Sequence, residues 1–182
     1  MIPFPDKKYK IIYADPPWSY NDKRGGDKNK KHGGATAHYQ TMSIKDIKNL
    51  KVCDITEENA MLFLWVTFPL LSEGLDTIKA WGFTYKTLGF SWIKTNPVNK
   101  KPFFGMGYYT KSNCEVCLIG IKGKPFKVSN KISSVVIEPK DNHSKKPDII
   151  RDKIVQFAGD VPRIELFARK TTQGWDSWGN EL

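Results

Sequence analysis

Asp15-Pro16-Pro17-Trp18 closes the apolar run Tyr9-Lys10-Ile11-Ile12-Tyr13-Ala14 and gathers groups suited to holding a planar base by its amino group. Asp15 supplies a carboxylate, Pro16 a backbone carbonyl whose direction proline stiffens, and Trp18 a flat aromatic face. A short β-branched run that stops at an acid and two prolines reads as a buried strand ending at an exposed edge. Proline cannot donate to a ladder, so the chain leaves the sheet there. In open α/β sheets ligands bind outside the carboxyl ends of the strands. The alternative is a proline-rich turn in which Asp15 caps the loop and Trp18 packs in the core.

The elements needed to position such a site follow in order. Residues 19–34 are polar, basic and glycine-rich, without periodicity, and predict a loop over the site whose Arg24 and lysines contact phosphates. Ser43 reads as the N-cap of a helix over Ile44 to Leu50. Met61 to Val66 is a buried strand. Pro69 opens a helix whose apolar positions Leu70, Leu71, Leu75, Ile78 and Trp81 follow the helical period, and Gly82 ends it. Phe83 to Lys94, Glu115 to Ile121, Ile132 to Ile137 and Arg163 to Ala168 read as further strands. A last helix opens at Pro147 and runs to Gly159, with Ile149, Ile150, Ile154, Val155 and Phe157 as its stripe. This alternation predicts an α/β, Rossmann-like architecture, a mostly parallel sheet with helices on both faces, formed by residues 1–182 as a single domain.

Charge points to the partner. The 182 residues carry 29 Lys and Arg against 19 Asp and Glu, a net +10 that favours a polyanion. Residues 95–111 interleave Lys100, Lys101 and Lys111 with Phe103, Phe104, Tyr108 and Tyr109, pairing phosphate attraction with stacking faces. No apolar run has membrane-spanning length and the N-terminus lacks a signal-peptide pattern, so the expected compartment is the cytoplasm. Cys53, Cys114 and Cys117 make no disulfide framework. Cys114 and Cys117 have C-x-x-C spacing, but three residues apart on a strand they face opposite ways and do not chelate one ion. No metal is expected.

A family resemblance rests on several stretches. Asp15-Pro-Pro-Trp18, His38-Tyr39 with Thr41-Met42, Leu64-Trp65-Val66-Thr67 and Trp92-Ile93-Lys94-Thr95-Asn96 come in that order. Ser144-Lys-Lys146-Pro147-Asp148, Glu165-Leu-Phe167-Ala-Arg169 and Gly179-Asn180-Glu181-Leu182 follow. Together they resemble the MT-A family of adenine-N6 methyltransferases, which includes the eukaryotic messenger-RNA methylase and small bacterial and phage DNA methylases. The resemblance implies a Rossmann-like fold and S-adenosylmethionine as methyl donor. It implies that Asp15 and the Pro16 carbonyl accept hydrogen bonds from the adenine amine, with Pro17 and Trp18 completing the catalytic loop. Trp18 and Tyr39 would form the base pocket, with Lys94 and Glu115 nearby. Lys146 would hold the methionine carboxylate of the cofactor, Asp15 its ammonium, and Arg169 and Asn180 its ribose. Glu165, Thr171 and Glu181 would lie close by. Two departures stand out: Glu181 replaces a glutamine of some relatives, and Lys170-Thr171-Thr172 replaces a neutral, histidine-containing turn. Long relatives also contact the cofactor adenine from a segment before the first strand.

The implied chemistry suits these groups. The adenine amine is a poor nucleophile because its lone pair is delocalised into the ring. A carboxylate and a carbonyl accepting its two N–H groups favour a localised pair and stabilise the positive charge that develops on nitrogen. In a duplex the base must first leave the stack. Small size favours DNA as substrate, in a bacterial or phage-infected cell. Adenine-N6 methylation of RNA and a catalytically silent nucleic-acid-binding partner subunit are the alternatives, and a homodimer is compatible with each.

Overall fold

The computed structural model describes residues 2–19, 41–105, 107, 109–124, 126–141, 145–180 and 182. Its strands are β1 (Tyr9–Ala14), β2 (Thr56–Val66), β3 (Thr84–Thr95), β4 (Cys114–Lys122), β5 (Val135–Pro139), β6 (Arg163–Leu166) and β7 (Asp176–Trp178). They form one sheet in the order β5-β3-β4-β2-β1-β6-β7. β4 runs antiparallel to both its neighbours, and every other pairing is parallel. The sheet is therefore mostly parallel, as the alternation of strands and helices predicts.

Period-two alternation sorts side chains onto two buried faces. Ile12, Ala14, Leu62, Leu64, Leu118 and Ile164 pack with Ile47 of helix α1 (Ile44–Asn49), Ile78 of α2 (Leu71–Ala80) and Trp81, which caps α2. Ile11, Tyr13, Phe63, Trp65 and Cys117 pack on the other face with Ile150, Ile154 and Ala158 from α3 (Ile149–Ala158). Helices thus cover both faces. Among the described residues, no helix is long and apolar enough to cross a membrane.

Local chemistry sets the helix ends. The Ser43 hydroxyl accepts the Asp46 N–H at 3.1 Å and caps α1 as expected. Pro69 does not open α2; it sits in a 3-10 turn, Phe68–Leu70, whose tighter bonding precedes the helix. Pro147 likewise stands before α3, which starts at Ile149. The last long strand stops two residues early, at Leu166, because Phe167 takes a left-handed backbone, φ 61°. β7 has three residues and shows no readable periodicity, so pattern reading misses it.

Two contacts lock α2 to the rest. The Trp81 indole donates to the Ile47 carbonyl at 2.9 Å, tying α2 to α1. Gly120 on β4 lets α2 approach closely: a Cβ there would lie 2.9 Å from Ile78 Cγ2 and 3.0 Å from Phe83 Cβ. Gly120→Ala is accordingly expected to cost about 1–3 kcal/mol through overpacking. The measurement is a fall in the urea midpoint at unchanged slope; an unchanged midpoint contradicts the packing described.

Candidate active site

Four charged side chains from distant segments meet at one edge of the sheet. Asp15 leaves β1, Glu115 lies on β4, Lys94 lies on β3 beside it, and Lys146 precedes α3. Lys146 Nζ stands 2.8 Å from Asp15 Oδ2 and 3.2 Å from Glu115 Oε2. Lys94 Nζ donates to the other Glu115 oxygen, Oε1. The result is a chain of alternating sign, Asp15–Lys146–Glu115–Lys94, with the Lys146 side chain only 9% exposed. Breaking a buried pair by removing one partner costs about 3–5 kcal/mol, because the other charge is left unpaired.

The chain sets the protonation of its members. Burial raises the pKa of Asp15; Lys146 offsets this in part, while the charge of Glu115 adds to the rise. Burial works against the Glu115 carboxylate as well, but Lys146 and Lys94 together outweigh it and hold its pKa below the ordinary value. Burial disfavours the Lys146 ammonium, and the two carboxylates more than compensate, raising its pKa. Both Glu115 and Lys146 are therefore charged at neutral pH.

The Asp15–Trp18 loop is braced from below. Trp18 N–H donates to the Pro16 carbonyl at 2.8 Å, and Met42 N–H to the Pro17 carbonyl at 2.9 Å. The Trp18 indole is 5% exposed and donates to the Trp65 carbonyl at 3.0 Å. Trp18 therefore offers no open face for stacking a base; its ring belongs to the core and anchors the loop. Trp65 also supports the ion chain. Its indole donates to the Tyr13 hydroxyl at 2.8 Å, and Lys146 Nζ lies 5.6 Å from its ring centroid.

One cleft opens beside this loop and another beside Lys146. The larger, about 480 Å³, is lined by Asp15, Pro17, Met42, Arg169, Gly179 and Asn180 among others. Its far wall is a tight crossing of the segments after β6 and at the end of β7. Ala168 N–H donates to the Trp178 carbonyl at 3.0 Å, and a Cβ on Gly179 would lie 2.3 Å from the Ala168 oxygen, so only glycine fits. A recess of about 270 Å³, lined by Phe4, Asn49 and Trp178, shares Asp46 and Trp178 with this cleft. The second cleft, about 390 Å³, is lined by Pro97, Lys140, Lys145, Lys146 and Asp148.

The structure gathers some expected site residues and separates others. Asp15, Pro17, Arg169 and Asn180 line the larger cleft. Lys146 gives its ammonium to Asp15, at the edge of the larger cleft, and to Glu115, and lines the second cleft. Glu165 is not at the cleft. Both its oxygens are held by the Arg151 fork at 2.7 and 2.6 Å, and the flanking Ile164 and Leu166 belong to the opposite face of the sheet. Thr171 is exposed and outside the cleft lining. Lys94 serves Glu115 and stands 5.0 Å from the Trp92 ring centroid. Lys100 and Lys101 lie on an exposed turn. Tyr39, Arg24 and Glu181 lie outside the described residues.

Sequence reading passed over Arg151 and gave Trp65 only a place in the stretch Leu64–Thr67. A signal existed for the first: a glutamate inside the buried run Ile164-Glu165-Leu166 needs a cation, and α3 carries one arginine beside its apolar stripe. None existed for the carbonyl and indole of Trp65.

The cleft fits S-adenosylmethionine in donor set: an acid, Asp15, a guanidinium, Arg169, and an amide, Asn180, line it together. Comparison with known proteins agrees. The family model MT-A70 matches residues 9–181. Over 98% of its length the chain is 35% identical to the type II methyltransferase M.MunI of Mycoplasma sp, of which it covers 79%. It is 30% identical to a putative N(6)-adenosine-methyltransferase MT-A70-like protein of Medicago truncatula, matching 96% of this chain and 26% of the relative. It is 26% identical to the N(6)-adenosine-methyltransferase catalytic subunit METTL3 of Homo sapiens, matching 96% of this chain and 28% of that protein. The chain belongs to the MT-A70 family of S-adenosylmethionine-dependent methyltransferases.

Proposed function

We propose that this chain transfers a methyl group to the N6 amine of adenine in DNA, with Asp15 as the central acceptor. The observation that carries the reading is the meeting of Asp15 and its ion chain with the cleft lined by Arg169 and Asn180. Likeness favours DNA over RNA, since the chain is 35% identical to M.MunI but 26–30% identical to the adenosine methyltransferases compared above. The net charge of +10 suits either polyanion.

When bound, S-adenosylmethionine supplies an electrophilic methyl carbon. Arg169 and Asn180 would hold its ribose, Asp15 would meet its ammonium, and the recess of Phe4 and Trp178 would take its adenine. The protein's own part is to hold acceptors where positive charge grows. The Asp15 carboxylate and the Pro16 carbonyl accept the two N–H groups of the target amine. Pro16 O already receives the Trp18 N–H, which orients it, and a carbonyl has a second lone pair for the substrate. Lys146, itself tied to Glu115 and Lys94, keeps the Asp15 carboxylate in one position, so that little reorganisation is needed during the reaction. The nitrogen then loses its proton readily, because an alkylated aromatic ammonium is acidic.

Three outcomes are expected. Purified protein transfers labelled methyl groups from S-adenosylmethionine into duplex DNA and not into RNA; transfer confined to RNA would reverse the choice of substrate. Asp15→Asn keeps the fold but lowers the methylation rate by about 10²–10³-fold, in line with loss of a preorganised electrostatic partner. A rate within twofold of the parent contradicts the role given to Asp15. Because burial and Glu115 raise the pKa of Asp15, the acidic limb of the kcat/KM profile lies above the ordinary carboxylate value of 3.8, and Glu115→Gln moves it to lower pH. A limb that stays put or rises in that variant contradicts the coupling.

A further inference from the structure

The segment joining β3 to β4 carries an exposed apolar group that neither cleft uses. Its first turn is tightly bonded. Asn96 Oδ1 accepts the Val98 N–H at 2.9 Å, Asn99 Oδ1 accepts the Lys101 N–H at 3.0 Å, and Asn96 N–H donates to the Lys101 carbonyl at 2.8 Å. Such side-chain-to-backbone bonds mimic a backbone turn and hold it in one shape. The turn is also pinned at its base. Phe103 N–H donates to the Lys94 carbonyl at 2.8 Å, and Lys140 Nζ stands 4.1 Å from the Phe103 ring centroid.

At the apex of this turn Val98 is 89% exposed. The bonds on either side keep it from folding back over the protein. Lys100 and Lys101 follow at once, and Lys100 has a left-handed backbone, φ 56°. That conformation is strained for a residue with a side chain, whereas glycine would adopt it freely. The neighbouring Pro97 lines the second cleft together with Lys146, whose ammonium is 2.8 Å from Asp15. A rigid apolar point flanked by cations therefore stands at the rim of the reactive edge. DNA meets both halves of that description. Its phosphates pair with lysines, and apolar side chains can enter between base steps and unstack them.

We propose that Val98 is a wedge that enters the duplex beside the target adenine and occupies the space the base vacates, with Lys100 and Lys101 on flanking phosphates. The inference rests on the DNA-methylating reading above and deepens it. Taking a base out of the stack costs a few kcal/mol, and less when the base is already unpaired. A wedge matters only where that cost is to be met.

The test uses the full chain and two duplexes carrying its recognition site, located by modification-sensitive sequencing. They differ only opposite the target adenine, which faces thymine in one and an abasic position in the other. Val98→Gly is expected to slow methylation of the paired duplex about tenfold while the deficit on the abasic duplex is within twofold, and Val98→Leu to restore the paired rate. Equal loss on both duplexes, or no loss on either, overturns the wedge. So does a change in the sedimenting mass of the DNA-free variant accompanied by equal loss, which would make the apex a contact between copies of the chain. Absence of methyl transfer by the parent protein to any DNA would instead sink the reading on which the wedge rests, so the two failures are distinguishable.

Discussion

One ammonium, that of Lys146, holds the reactive edge together. Glu115 is a buried carboxylate and Asp15 a half-buried one, and each would be costly to keep charged without a cation between them. Lys146 reaches both, and Lys94 completes the alternation from the neighbouring strand. The four residues come from the end of β1, from β3 and β4, and from the approach to α3, so their meeting requires the β3-β4-β2-β1 order to be in place. An acceptor fixed in this way does not have to reorganise as charge develops on a substrate nitrogen.

The aromatic core serves the same end. Trp65 receives the Trp18 indole on its carbonyl, gives its own indole to Tyr13, and lies beneath Lys146. The loop that carries Asp15 and the cation that pairs with it are thus seated on one residue of β2, the first on its carbonyl and the second over its ring. On the same face of the sheet, Arg151 and Glu165 neutralise each other in a forked pair that binds α3 to β6. That pair stabilises the frame of the site and stands apart from its chemistry.

Much of this was legible in the sequence, for identifiable reasons. The sheet follows from the short continuous apolar runs of β1, β2 and β4, and the helix cap at Ser43 from its side-chain chemistry. Asp15, Arg169 and Asn180 meet at one cleft as the family resemblance implies. What escaped depends on long-range geometry. Whether Trp18 faces a ligand or the core turns on the Trp65 carbonyl, 47 residues away. Glu165 is removed from the cleft by Arg151 and by the sheet face it occupies, and Lys146 is directed by two acids that sequence distance conceals. β7 and the left-handed Phe167 are too short or too local for periodicity to reveal.

The account makes Asp15 the acceptor for an adenine amine. It is tested most directly by mass analysis of nucleosides from the DNA of cells expressing either the intact chain or Asp15→Asn. N6-methyldeoxyadenosine with the intact chain and only background with the variant is the predicted result. Equal amounts with both, or methylation confined to another base, would contradict it.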